Sequence, residues 1–204
     1  MNTPTHALIA ALVFARPGAR LRSRAAVLGG VFPDLPIFAL WLWAKLAGLD
    51  ESEVWRELYF SPGWRDAMDA SHSVPLYAAI VLLLCATARP APAGGTAPGT
   101  RWALRPPAVF CWSALFHIAG DFPLHFDDAH AHFWPLSDWR FRSPVSYWDA
   151  GHYGRIWAPF EAVLAVVMIV ALWRRYDARW VRAVLALGAL SYLAVPVYFS
   201  WMAH

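Results

Sequence analysis

The chain has 204 residues, one domain by length, with 59% hydrophobic and 15% charged residues, against about 45–50% and about 25% in soluble domains. Thirteen Trp and twelve Phe strengthen the bias toward lipid, because aromatic rings favour the membrane interface. The net charge of +3 comes from short arginine clusters between apolar runs, which points to membrane topology and excludes nucleic acid as the natural partner.

The expected fold is an all-α polytopic membrane bundle of about six apolar segments in a single domain, residues 1–204, the first segment short and the second kinked. The first run, Ala7 to Ala15, is followed rather than preceded by positive charge (Arg16, Arg20, Arg22 and Arg24). A signal peptide has the reverse order, so the segment is expected to stay in the protein. His6 then starts its helix, with Thr3 or Thr5 as the cap. The second run, Ala25 to Leu49, is long enough to span at ~1.5 Å per residue. It contains Gly29-Gly30-Val-Phe-Pro33-Asp34-Leu-Pro36, and two glycines and two prolines around one carboxylate predict a break. Asp34 would lie at mid-depth, where an ionisable group is costly and usually functional.

Asp50 to Asp69 is acidic, with six carboxylates against Arg56 and Arg65. Ser71-His72-Ser73-Val-Pro75 then opens the third run, and a serine cap with proline in the first turn is a good helix start. Residues 89–107 read as a flexible Pro/Ala/Gly linker with three arginines and no acid, expected on the cytoplasmic side. The fourth run, from Ala108, ends in His117-Ile-Ala-Gly-Asp121, which stacks an imidazole and a carboxylate on one helix face. Pro123 stops that helix near Phe122. A long loop, residues 125–154, is expected outside the cytoplasm and carries His125, His130 and His132. The fifth run, Arg155 to Trp173, has Glu161 in its first turn, and the sixth is Ala183 to Trp201. Cys85 and Cys111 both fall in apolar runs and read as buried small hydrophobes without a disulfide.

Basic connections (16–24, 89–105 and 174–182) alternate with acidic ones (50–69 and 127–149). The positive-inside rule puts the basic ones in the cytoplasm. His6, His72, the His117/Asp121 pair and Glu161 then all fall at the non-cytoplasmic ends of their segments. That convergence predicts one metal site facing outward, with His6, Asp34, His72, His117 and Asp121 as ligands. His125 and His130 are further candidates, on a loop whose histidine spacings fit no single helix face. Asp127 and Asp128 read as a solvated loop face. Trp134, Trp139, Tyr147 and Trp148 read as an interfacial belt or the mouth of the site, with Arg140 and Arg142 available to a phosphate. Glu161 is the candidate catalytic base; its bland alternative is an acid complementing the helix dipole.

The order His6, Pro33-Asp34, Ser71-His72-Ser73 and His117-x3-Asp121 resembles the bacterial membrane-bound metal-dependent hydrolase family, that of the LexA-regulated inner-membrane hydrolase. More distantly it is similar to the zinc-dependent phospholipase C and P1 nuclease superfamily. The likeness runs from Thr5 to about Trp148 and includes Phe133-Trp-Pro-Leu-Ser-Asp-Trp-Arg-Phe141. It implies that His6, Asp34, His72, His117 and Asp121 bind metal. Pro36 stands where the family often has a second acid, and Met68-Asp69-Ala70 where it often has His-Arg-Gly, so one or two ions are expected rather than three.

The resulting expectation is a multi-pass inner-membrane hydrolase using one or two Zn ions. It would act on an ester or phosphoester, of a lipid or envelope molecule, at the outer face. Its rival is a non-catalytic transporter or assembly factor in which the same residues bind an ion or metal.

Overall fold

The computed structural model describes residues 1–88 and 102–202. Among these residues the chain is helical, with no strand. The helices are α1 (Thr3–Phe14), α2 (Arg20–Val31), α3 (Leu35–Ala47), α4 (Glu51–Arg56) and α5 (Pro62–Ser71). They continue as α6 (Val74–Ala86), α7 (Pro106–Asp121), α8 (Gly154–Arg175) and α9 (Arg179–Met202). Most of the linker expected over 89–107 lies outside the described residues; a short 3-10 turn, Trp102–Leu104, leads from it into α7.

Among the described residues three helical units are long and apolar enough to cross a bilayer, fewer than the six expected: 20–47, 62–86 and 154–175. For two of the three missing segments the cause is geometric; the third, Ala183 to Trp201, lies in α9, part of whose side chains are outside the described residues. At ~1.5 Å per residue the 12 residues of α1 and the 16 of α7 reach only ~18 and ~24 Å, short of a ~30 Å hydrocarbon core. Both are packed inside the molecule as core helices. The unit 20–47 is α2 and α3 joined through a 3-10 turn, Phe32–Asp34, so the expected break is present. The unit 62–86 joins α5 to α6 across His72 and Ser73. The acidic stretch expected as a connection is therefore largely helical. Asp50 caps α4, accepting from the amides of Ser52 and Glu53 at 2.9 and 3.2 Å. Val54, Tyr59 and Met68 fold back onto Leu40 and Ala44 of α3.

The centre of the bundle is α2, which packs most closely against α7 and α1. Gly29 and Gly30 make this possible. A Cβ on Gly29 would lie 2.2 Å from the Phe110 carbonyl oxygen, and one on Gly30 would lie 2.8 Å from Ala10 Cβ. Small residues let helices approach closely in this way. The glycines thus serve packing, and the break falls just after them. Tyr77, Val81, Cys111, Ala114 and Ile118 seal α6 to α7, while Ile169, Leu172 and Leu185 join α8 to α9.

Leu35, Phe38, Leu42 and Leu46 on α3 are exposed, as are Ile156, Phe160, Val163, Val167 and Val170 on α8. Each set recurs every three to four residues and forms one apolar stripe, the signature of a helix face meeting lipid. Cys111 is buried as expected, but Cys85 is exposed on α6; both are free thiols.

Candidate metal centre

Four helix ends and breaks converge on one point. Asp34 closes the 3-10 turn between α2 and α3. His72 follows α5 as its C-cap, while Ser73 caps α6 by accepting from the Leu76 amide at 3.2 Å. His117 and Asp121 are one turn apart at the end of α7, which stops with Phe122 as its C-cap before Pro123. One ligand atom from each of Asp34, His72, His117 and Asp121 lies within 4.8 Å of the others, and all four residues are buried.

The imidazoles are held in a defined orientation. His117 donates from Nδ1 to the Gly30 carbonyl at 2.8 Å, and His72 donates from Nδ1 to the Met68 carbonyl at 2.9 Å. A neutral imidazole whose Nδ1 carries the proton presents a lone pair at Nε2. Both Nε2 atoms are buried without a hydrogen-bond partner, yet they approach carboxylate oxygens. His117 Nε2 is 2.9 Å from Asp121 and 3.4 Å from Asp34, and His72 Nε2 is 3.8 Å from Asp34. Buried polar nitrogens are rarely left unsatisfied. Lone pairs converging beside two carboxylates fit a metal cation held by mixed imidazole and carboxylate groups.

Asp121 also faces a second group. Its Oδ2 points to His72 and His117, whereas its Oδ1 lies 2.8 Å from His6 Nε2 and 3.3 Å from His125 Nε2. The same Oδ1 accepts from the Met1 amino group at 2.5 Å. His6 stacks on His117 with ring centroids 3.6 Å apart. His130 stacks on His72 at 3.8 Å, and its Nε2 is another buried nitrogen without a partner. Six of the seven expected ligands therefore cluster by direct side-chain approach to Asp121 or Asp34. The seventh, His130, reaches the cluster through His72.

The loop that carries His125 and His130 is tied down at several points. Asp69 accepts from both Arg140 terminal nitrogens, at 2.8 and 2.5 Å, and from the Ala131 amide at 2.9 Å. The Val74 amide donates to the His132 carbonyl, and the Ser143 amide to the His125 carbonyl, both at 2.9 Å. His132 donates from Nδ1 toward the His72 carbonyl at 3.3 Å. Asp128 is buried rather than solvated, because its carboxylate accepts from His125 Nδ1 at 2.8 Å and from Trp148 Nε1 at 3.2 Å. Burial disfavours the charged form of His125, but Asp121 and Asp128 outweigh it and raise the pKa to about 9. Burial lowers His130 well below its ordinary value and takes His132 to about 4, leaving both neutral.

Glu161 sits where the sequence alone does not suggest. The fifth run begins at Gly154, so Glu161 is two turns into α8 and no acid occupies the first turn. The dipole account therefore does not apply. Its carboxylate faces α1, accepting from the Asn2 amide at 2.7 Å, the Thr5 hydroxyl at 2.5 Å and Trp157 Nε1 at 3.2 Å. Thr5 and Thr3 are inside α1 and do not cap it; Thr3 instead donates to Asp34.

Several participants escaped the sequence reading: the Gly30 and Met68 carbonyls, Thr3, Asp128, and the Asp69–Arg140 pair. The last left a trace, since Asp69 is an acid three residues before His72 and Arg140 lies in the aromatic tract. Arg140 is consequently unavailable to a phosphate.

A cavity of about 650 Å³ adjoins the cluster, its lining including Asp34, His125 and Asp128 together with Tyr147 and Trp148. No curated protein and no solved structure matches the chain. A family model described as YdjM inner membrane protein matches residues 1–202. With its lipid-facing stripes and buried His/Asp cluster, the chain belongs to the YdjM inner membrane protein family.

Proposed function

We propose that this chain is a metal-dependent hydrolase, loaded with one or two zinc ions, acting on an ester or phosphoester at the non-cytoplasmic face of the membrane. One observation carries the reading: buried Nε2 atoms of His72 and His117, each oriented through its Nδ1 by a backbone carbonyl, meet Asp34 and Asp121 within 4.8 Å. These four residues would hold the first ion. His6, His125 and His130 are the candidates for a second, with Asp121 shared through its other oxygen. Zinc bound there supplies Lewis acidity and acidifies a water toward a pKa near ~7.

The chain's own residues do the rest. Asp128 and the Gly30 and Met68 carbonyls orient the rings, and orienting partners of this kind are worth ~10–100-fold in metal affinity. Glu161 holds the start of α1 and, through it, His6, a positioning role rather than contact with the reacting atoms. The outward orientation is supported by clustering of charge. Arg175 donates to the Leu12 carbonyl at 2.6 Å, so the arginine-rich turns after α1 and α8 share the end of the bundle away from His6. By the positive-inside rule that end is cytoplasmic.

The test measures zinc by elemental analysis and hydrolysis of a soluble phosphodiester and a carboxylic ester, with and without chelator. Stoichiometric zinc and chelator-sensitive turnover are expected; metal-free protein with unaltered fold overturns the site. For orientation, Asp138→Cys in a Cys85→Ala background should react with an impermeant thiol reagent in intact cells and Asp177→Cys should not. The reverse pattern moves the site to the cytoplasm. The rival reading also has an observation behind it, because the cluster sits at breaks in two span-length units, as ion sites do in transporters. Zinc uptake into proteoliposomes without any turnover would favour it.

A further inference from the structure

The cavity that adjoins the cluster has two unlike kinds of lining residue, and they describe a ligand. One is apolar: Ile37, Phe38, Trp55, Phe60 and Trp148. Phe38 lies on the exposed stripe of α3 with Leu35 and Leu42, within the unit 20–47 that can cross the bilayer. Phe38 is thus common to the cavity lining and to the exposed apolar stripe of α3. A water-soluble substrate has no use for such a link, whereas an acyl chain could touch both.

The other kind includes Arg56, the one Arg or Lys side chain among the described residues that line the cavity. The carboxylates there have other partners: Asp128 holds His125 and Trp148, Asp127 caps the Asp128 amide, and Asp34 belongs to the metal cluster. Lys45, Arg140 and Arg182 form ion pairs with Glu51, Asp69 and Asp177. Among the ion pairs of the described residues, Arg56 forms none. A guanidinium is a planar fork matched to phosphate oxygens, and it retains its charge at any physiological pH. A volume of about 650 Å³ is ample for a headgroup and the first part of a chain.

We propose that the cavity binds a phospholipid-like anionic amphiphile, with its phosphate on Arg56 in the cavity that Asp34 and His125 also line, and its chain against Ile37, Phe38, Trp55 and Phe60. This rests on the proposed hydrolase reading for turnover, but the binding can be measured without it. The phosphate would meet the acidic cluster only with a divalent ion in place, so zinc-loaded protein is the material to use.

The experiment measures equilibrium binding of three probes to zinc-loaded, detergent-solubilised protein: oleoyl lysophosphatidic acid, monooleoylglycerol and inorganic phosphate. Wild type should prefer the lysophosphatidic acid over both others by ~10-fold or more, the scale of one charge-assisted pair. Arg56→Gln should erase the preference over monooleoylglycerol while leaving bound zinc unchanged. Phe38→Ser, at an exposed position, should weaken both lipids and leave inorganic phosphate as it was. Unchanged lysophosphatidic acid binding by Arg56→Gln overturns the proposal and makes Arg56 an ordinary cation at the end of α4. Inorganic phosphate binding as well as the lipid also overturns it, in favour of a free-phosphate site. Selective lipid binding without turnover on any phosphoester would uphold this proposal and fail the hydrolase reading alone.

Discussion

The site has a helix-borne half and a loop-borne half, and they are built differently. Asp34, His72, His117 and Asp121 come from helix ends and breaks, and the two imidazoles among them are aimed by backbone carbonyls. His125 and His130 come from a long irregular stretch and are aimed by side chains: His125 by Asp128, and His130 by stacking on His72. Carbonyl acceptors depend only on helices staying in register. Side-chain acceptors depend on a loop that is itself pinned by Asp69–Arg140 and a few backbone bonds. The difference teaches that one half can be damaged through helix packing and the other through single polar side chains.

The largest effect should come from the residue both halves share. Asp121→Asn keeps the shape but removes the carboxylate that faces His72 and His117 with one oxygen and His6 and His125 with the other. Bound zinc is expected to fall by ~100-fold or more, exceeding the loss from an orienting partner alone. Wild-type zinc content in folded Asp121→Asn protein would mean that the two halves do not share a ligand.

Next, the helix-borne half should fail through packing. Gly30→Ala sets a Cβ 2.8 Å from Ala10 Cβ and 2.9 Å from the His6 carbonyl oxygen, prising α1 from α2. Overpacking of this kind costs about 1–3 kcal/mol, so the melting temperature should drop together with zinc affinity. An unaffected melting temperature would show that the close α1–α2 approach is not what holds this half.

Asp128→Asn sharpens the contrast from the loop side. It weakens the acceptor for His125 Nδ1 without touching the four helix-borne residues. Zinc affinity in a competitive chelator titration should fall by ~10-fold, the lower end for an orienting partner, with stability little changed. Loss of all zinc would mean that the loop-borne half is the principal site.

Glu161→Gln should have the smallest effect on metal and turnover. The amide keeps one oxygen for the Asn2 amide and Thr5 hydroxyl but turns its NH2 toward Trp157 Nε1, so it loses that bond and the charge in the other two, about 1–3 kcal/mol of stability. Metal content and kcat are expected to be nearly unaltered. A ~100-fold loss of kcat with metal intact and the protein folded would instead assign Glu161 the general-base role.

Much of the site was legible because ligand chemistry is local. His117-x3-Asp121 shows its shared face from spacing, and Pro33-Asp34 and Pro123 show where helices break or stop. Thr3 and Thr5 were misread as caps, because their hydroxyl partners, Asp34 and Glu161, are distant in sequence. Asp128 was misread for the opposite reason. Its partner is only three residues away, but whether a loop is solvated or folded over the site is not a local property.

By itself the sequence determined the membrane class, the break after Gly30, and which imidazoles and carboxylates could meet a metal. Composition, proline placement and residue spacing act within a few residues, so they survive without knowledge of the fold. Only the tertiary structure decided that α1 and α7 are core helices rather than full spans, that the acidic stretch folds back on α3, and that Arg56 rather than Arg140 faces the cavity. Those outcomes depend on which surfaces meet across the bundle. A buried carboxylate or guanidinium takes the partner that packing brings to it, whatever its neighbours in the chain.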